Sequence, residues 1–91
     1  MDSQWRTSRV KGKILYKLSR AGKFHHSHTA LENLTKGFPS DMKGAAKECV
    51  NELIKEGIIF IKKTNYGVHV SVNTEKHEQI LRYIDEFLMD D

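Results

Sequence analysis

The residues of this 91-residue chain best able to do chemistry are five histidines, one cysteine and a set of lysines and arginines. His25, His26 and His28 lie close together, with His69 and His77 further along. Imidazoles at that density could hold zinc or another divalent ion. The neighbouring sequence does not complete such a site: there is no paired-cysteine motif and no His-x-x-x-His pair, and the nearby carboxylate of Glu32 has a capping role of its own. No metal and no cofactor are expected, and the histidines read as exposed or capping groups. Catalysis has even less to work with. The chain lacks a glycine-rich phosphate loop, a nucleophile elbow and any acid–base pair whose proximity the spacing would enforce. The expectation is a binding protein, not an enzyme.

The basic residues are unevenly placed. Net charge is only +3, but residues 1–24 hold Arg6, Arg9, Lys11, Lys13, Lys17, Arg20 and Lys23 against Asp2 alone. Residues 75–91 hold Lys76 and Arg82 against Glu75, Glu78, Asp85, Glu86, Asp90 and Asp91. Such asymmetry suits a positive side for a polyanion and a negative side turned away from it. The plainer alternative is two solvated helix faces that attract each other.

The elements that must position these groups are legible from periodicity. Val10, Ile14, Leu15 and Leu18 form one apolar stripe of a helix from about Ser8 to Ala21, bordered by Tyr16 and ended by Gly22. Its outer face carries Arg9, Lys13, Lys17 and Arg20 in one basic strip. Residues 1–8 are expected to be a loose start, with Trp5 packing on the core, and 23–27 a short extended link with Phe24 as its core contact. Thr29 to Glu32 has the form of a capping box that opens a short second helix at Ala30. That helix buries Ala30, Leu31 and Leu34 and ends at Gly37.

A third helix, Asp41 to Glu56, buries Met42, Ala46, Cys49, Val50 and Leu53, starts at Pro39 and Ser40 with Ser40 able to cap it, and stops at Gly57. On that face Cys49 reads as a small core residue; being alone, it excludes an internal disulfide. Gly44 within this helix hints at close approach by another backbone, of the second helix or of DNA. A hairpin follows: Ile58 to Ile61, a turn over Thr64 to Gly67, then Val68, Val70 and Val72 alternating with His69, Ser71 and Asn73. Pairing of Lys63 with Val68 would put Ile59 and Ile61 on the core face with Val70 and Val72. A Gly67 bulge would put Phe60 there instead. A last helix, Glu75 to Leu88, capped by Asn73 or Thr74, carries Ile80, Leu81, Ile84, Phe87 and Leu88. That stripe either closes the core or leaves part of itself as a homodimer interface.

The order helix, short strand, helix, helix, hairpin, helix resembles the winged helix-turn-helix family of bacterial and archaeal regulators. The likeness runs from Val10 to Phe87 and is most specific in Val50-x-x-Leu53-x-x-x-Gly57-Ile58-Ile59, a short basic turn, Gly67, then Val68-x-Val70-x-Val72-Asn73. It implies an α+β fold: a three-helix core with a small antiparallel β-hairpin wing and a C-terminal helix, as a single domain over residues 9–89. It also implies that the third helix enters the major groove of double-stranded DNA while the wing touches the backbone or minor groove. Carried onto this chain, the third helix would offer Ser40, Lys43, Gly44, Lys47, Glu48, Asn51 and Lys55. Lys43 and Lys47 would suit phosphates and Asn51 an adenine edge. The wing would offer Lys62, Lys63, Asn65 and Tyr66, with flanking charge from Arg9, Lys13 and Lys17. Transcription regulation is the function expected from the resemblance; a winged-helix module for protein or RNA partners is the alternative. With no apolar run long enough to span a bilayer and no leader-like layout at Met1, a cytoplasmic protein is expected.

Overall fold

The computed structural model describes residues 6–22 and 28–89. The expected contacts of Trp5 and Phe24 and the extended link over 23–27 lie outside them. The described residues form a mixed α+β fold: α1 (Thr7–Arg20), β1 (Thr29–Ala30), a 3-10 helix (Leu31–Thr35), a 3-10 turn (Ser40–Met42), α2 (Lys43–Lys55), β2 (Ile59–Thr64), β3 (Gly67–Val72), a 3-10 turn (Thr74–Lys76) and α3 (His77–Met89). The strands make one antiparallel sheet in the order β1-β3-β2.

Both leading apolar stripes are buried as the periodicity predicts, except that Met42, in the 3-10 turn before α2, is only partly buried against the core. Val10, Ile14, Leu15 and Leu18 of α1 meet Ala46, Cys49, Val50 and Leu53 of α2 in one core with Leu34, Phe38, Ile58, Ile59, Val70, Val72 and Ile80. The end of α2 shows why Gly57 stands where it does. Its φ is +77°, and this left-handed residue lets the Gly57 amide reach the Ile54 carbonyl and the Ile58 amide reach the Leu53 carbonyl, at 3.0 Å each. The two bonds satisfy otherwise orphaned carbonyls and turn the chain directly into β2. Asn73 then joins both ends of the hairpin to the helices. Its side-chain amide donates to the Gly57 carbonyl (2.9 Å), and its side-chain oxygen accepts from the Glu75 amide (3.1 Å), capping the last helical segment.

The hairpin register is settled. Lys63 pairs with Val68 and Thr64 with Gly67, leaving Asn65–Tyr66 as a two-residue loop and excluding the bulge. Ile59 and Ile61 accordingly lie on the side of Val72 and Val70, but only Ile59 is covered; Ile61 sits further toward the tip on an edge strand and is 45% exposed.

Two local expectations are corrected. Thr29 and Ala30 are strand residues paired with Val70 and His69, so no capping box forms. The Thr29 hydroxyl instead accepts from the Asn33 side chain at 2.9 Å, and the segment that follows is a five-residue 3-10 helix without a side-chain cap. Ser40 does not cap the next helix either, because the turn already begins on Pro39 and Ser40 lies inside it.

α3 packs across α1 where Gly12 leaves room for the Tyr83 backbone. Lys11, almost fully buried, ties all the α-helices together there. Its ammonium lies 2.8 Å from both Glu52 and Glu56 of the α2 end, and the Tyr83 hydroxyl of α3 donates to Glu56 at 2.9 Å. Burial opposes the Lys11 charge, but the hydrogen bonds to Glu52 and Glu56 outweigh it and hold the ammonium pKa above that of an ordinary lysine. The outer edge of α3 is not covered: Leu81 and Leu88 are about half exposed. Among the described residues, no helix is long and apolar enough to cross a membrane.

Candidate nucleic-acid interface

α2 displays Lys43, Lys47 and Asn51 at successive four-residue steps, so all rise from one exposed stripe, which runs alongside the Ala46, Cys49, Val50 and Leu53 face next to Val50. Facing that stripe are the 3-10 helix on one side and the hairpin tip on the other. Between them runs a groove of about 900 Å³. Its floor is apolar, from Leu31, Val50 and Val68; its rim is polar, from Glu32, Lys36, Lys43, Lys47, Asn51 and Tyr66. Tyr66 projects almost fully into solvent at the tip. Its loop is held by Thr64, whose hydroxyl accepts from the Tyr66 amide (3.0 Å) and donates to the Gly67 carbonyl (2.9 Å).

The structure thus brings together Lys43, Lys47, Asn51 and Tyr66 of the expected interface. Ser40, Lys62, Lys63 and Asn65 are exposed nearby but do not line the groove. By register, Lys63 stands opposite Val68 on the groove side of the hairpin, whereas Lys62 stands opposite His69 on the other. The basic residues of α1 are placed differently: Arg9, Lys13 and Lys17 are half-buried and turned to the protein's own groups. Lys13 donates to the Gly37 carbonyl (3.1 Å) with its ammonium over the Phe38 ring, Lys17 donates to the Lys36 carbonyl, and the Arg9 guanidinium lies over Phe87. Burial, and then the neighbouring Lys13 charge, lower the Lys17 pKa. These lysines tie α1 to the loop that leads into α2. Lys36, at the junction between the short helix and that loop, was not singled out from the sequence, although a basic residue beside a helix-turn-helix turn is the kind of signal that could have marked it.

Negative charge is kept off the stripe in one place that matters. Glu52 follows Asn51 but bonds Lys11, which lowers its carboxyl pKa first by hydrogen bonding and then by the charge itself. Cys49 is sealed behind the stripe, with its thiol directed to the Thr7 carbonyl; burial pushes its pKa up to about 11. His28 and His69 meet across the β1–β3 edge, Nδ1 to Nδ1 at 2.7 Å, so one ring donates a proton and the other accepts. His77 is exposed at the start of α3, and His25 and His26 lie outside the described residues. Among the described residues no cluster of three or more histidine, cysteine or carboxylate side chains could hold a metal ion.

The chain matches no family model, no characterised protein and no solved structure. The functional reading therefore rests on the groove and its charges.

Gly44 gives a local test. A Cβ placed there would meet nothing within 4 Å, so the second-helix explanation for this glycine is removed. Gly44→Ala should raise stability by about 1 kcal/mol through helix propensity, read as a higher midpoint in urea. If a nucleic-acid backbone approaches α2 at this point, the same variant should bind duplex several-fold more weakly. A stabilised variant with unchanged binding would show that the glycine is no contact point.

Proposed function

We propose that the chain is a winged helix-turn-helix protein that binds double-stranded DNA through α2 and the β2–β3 hairpin, and that it acts in transcription regulation. The order of elements, with a 3-10 helix in place of the second helix, and the seat of β1 beside β3 support this reading, in which α2 serves as the recognition helix and the hairpin as the wing. The observation that carries the reading is the convergence of Lys36, Lys43, Lys47, Asn51 and Tyr66 on one groove. In this reading the lysines hold phosphates, Asn51 reaches a base edge, and Lys62, Lys63 and Asn65 track the flanking backbone. Arg9, Lys13 and Lys17 add to the field without making the first contact.

A salt titration tests this. The affinity for a mixed-sequence duplex, followed by fluorescence anisotropy, should fall with salt at a log–log slope of about −4.5, roughly 0.9 for each of Lys36, Lys43, Lys47, Lys62 and Lys63. A slope near zero would mean that phosphates are not the ligand.

Pairing of two copies through α3 is part of the proposal. Leu81 and Leu88 are seven residues apart on one stripe and both about half exposed. Sedimentation should report a dimer that Leu81→Glu with Leu88→Glu converts to monomer; a monomeric wild type at micromolar concentration removes this element.

A further inference from the structure

We propose that the groove between α2 and the hairpin takes an unpaired nucleotide, so that the protein prefers DNA with a base out of the stack over a closed duplex. The proposal rests on the DNA-binding reading above and names the feature of the ligand that the groove selects. A basic rim alone would serve any duplex, because phosphates lie on the outside of the helix. An apolar floor does not. Leu31, Val50 and Val68 gain nothing from phosphate or from a base edge that keeps its Watson–Crick partner, but they are suited to the face of a base that has left the stack. The volume, about 900 Å³, is of the size that holds small organic ligands, roughly 300–1,000 Å³.

Tyr66 gives the second, independent observation. It is 93% exposed, a placement that forgoes the whole benefit of burying an aromatic ring. The backbone that carries it is nevertheless held by the two Thr64 hydrogen bonds, so the loop itself need not be ordered when a planar partner arrives. Stacking on such a ring is tolerant of base identity and strengthens binding by roughly tenfold per base. The polar groups add direction. Lys43 and Lys47, one turn apart on α2, suit the phosphates on either side of the extruded nucleotide, and Glu32 on the facing 3-10 helix offers an acceptor for an exocyclic amine such as that of cytosine.

The experiment compares three DNAs of one sequence: a closed duplex, the same duplex with a single bulged deoxycytidine, and the same bulge carrying an abasic residue. Each competes with a labelled closed duplex at one salt concentration. The bulged deoxycytidine is expected to bind roughly tenfold more tightly than the closed duplex, and the abasic bulge to lose that gain. Tyr66→Ala should cut the gain to less than about threefold, while Tyr66→Phe, which keeps the ring, retains it. If bulged and closed duplexes bind alike, or the abasic bulge keeps the full gain, the nucleotide proposal falls and duplex binding stands. If none of the DNAs binds even at low salt, the DNA reading falls with it.

Discussion

Reversing the charge on Lys43 and Lys47 together should weaken duplex binding by about 100-fold at moderate ionic strength while leaving the fold intact. Both side chains are exposed on the outer stripe of α2 and line the groove. Each substitution of glutamate for lysine removes a phosphate partner and adds a repelling charge, and the effects of neighbouring charges compound. The folded state has little stake in either residue, since exposed substitutions away from caps and buried partners usually change stability by less than about 0.5 kcal/mol. Loss of binding with an unchanged melting temperature is the expected result for Lys43→Glu, Lys47→Glu. Retained affinity in that variant would move the nucleic acid off α2.

Gly12→Ala should have the largest effect on stability. Within an exposed helix, alanine for glycine gains about 1 kcal/mol. At position 12 the sign reverses, because the new Cβ would lie 1.9 Å from the Tyr83 carbonyl oxygen and 2.9 Å from the Phe87 Cβ. The nearest obstruction is backbone, so it cannot be relieved by a rotamer change. α3 must shift away from α1, which pulls Tyr83 from Glu56 and disturbs the Tyr16–Phe87 ring contact at 5.7 Å. A loss of about 3 kcal/mol is expected, the upper end for overpacking a tight contact, measured as a lower urea midpoint. An unchanged or raised midpoint would mean that α1 and α3 cross elsewhere.

That contact also marks where sequence reading runs out. The apolar stripes of α1 and α2 and the stop at Gly57 are local signals, and they are buried or turned largely as their spacing requires; the alternation in β3 places Val70 and Val72 in the core, but Ser71 and Asn73, between and after them, are buried as well. The Asn73 cap was legible as a local signal too. Gly12 carries no such mark: a glycine in a helical pattern shows its purpose only once the facing backbone is placed. Thr29 was misread because the same residues that compose a capping box can pair as a strand, and β3, forty residues away, decided between them.

The candidate site divides the same way. Lys43, Lys47 and Asn51 follow from helix geometry, and Tyr66 from its turn. The roles of Lys13 and Lys17 depend on the Gly37 and Lys36 carbonyls, and that of Glu52 on Lys11, partners that periodicity does not encode. Lys36 joins the rim only because the short helix folds back along α2.

The most direct measurement is a map of backbone amide shifts in isotope-labelled protein titrated with a mixed-sequence duplex. Shifts gathered at residues 36, 43, 47, 51 and 64–68, with α3 unmoved, are the predicted result. Shifts gathered instead around Leu81 and Leu88, or none at saturating duplex, would contradict the placement of the nucleic acid on α2 and the wing.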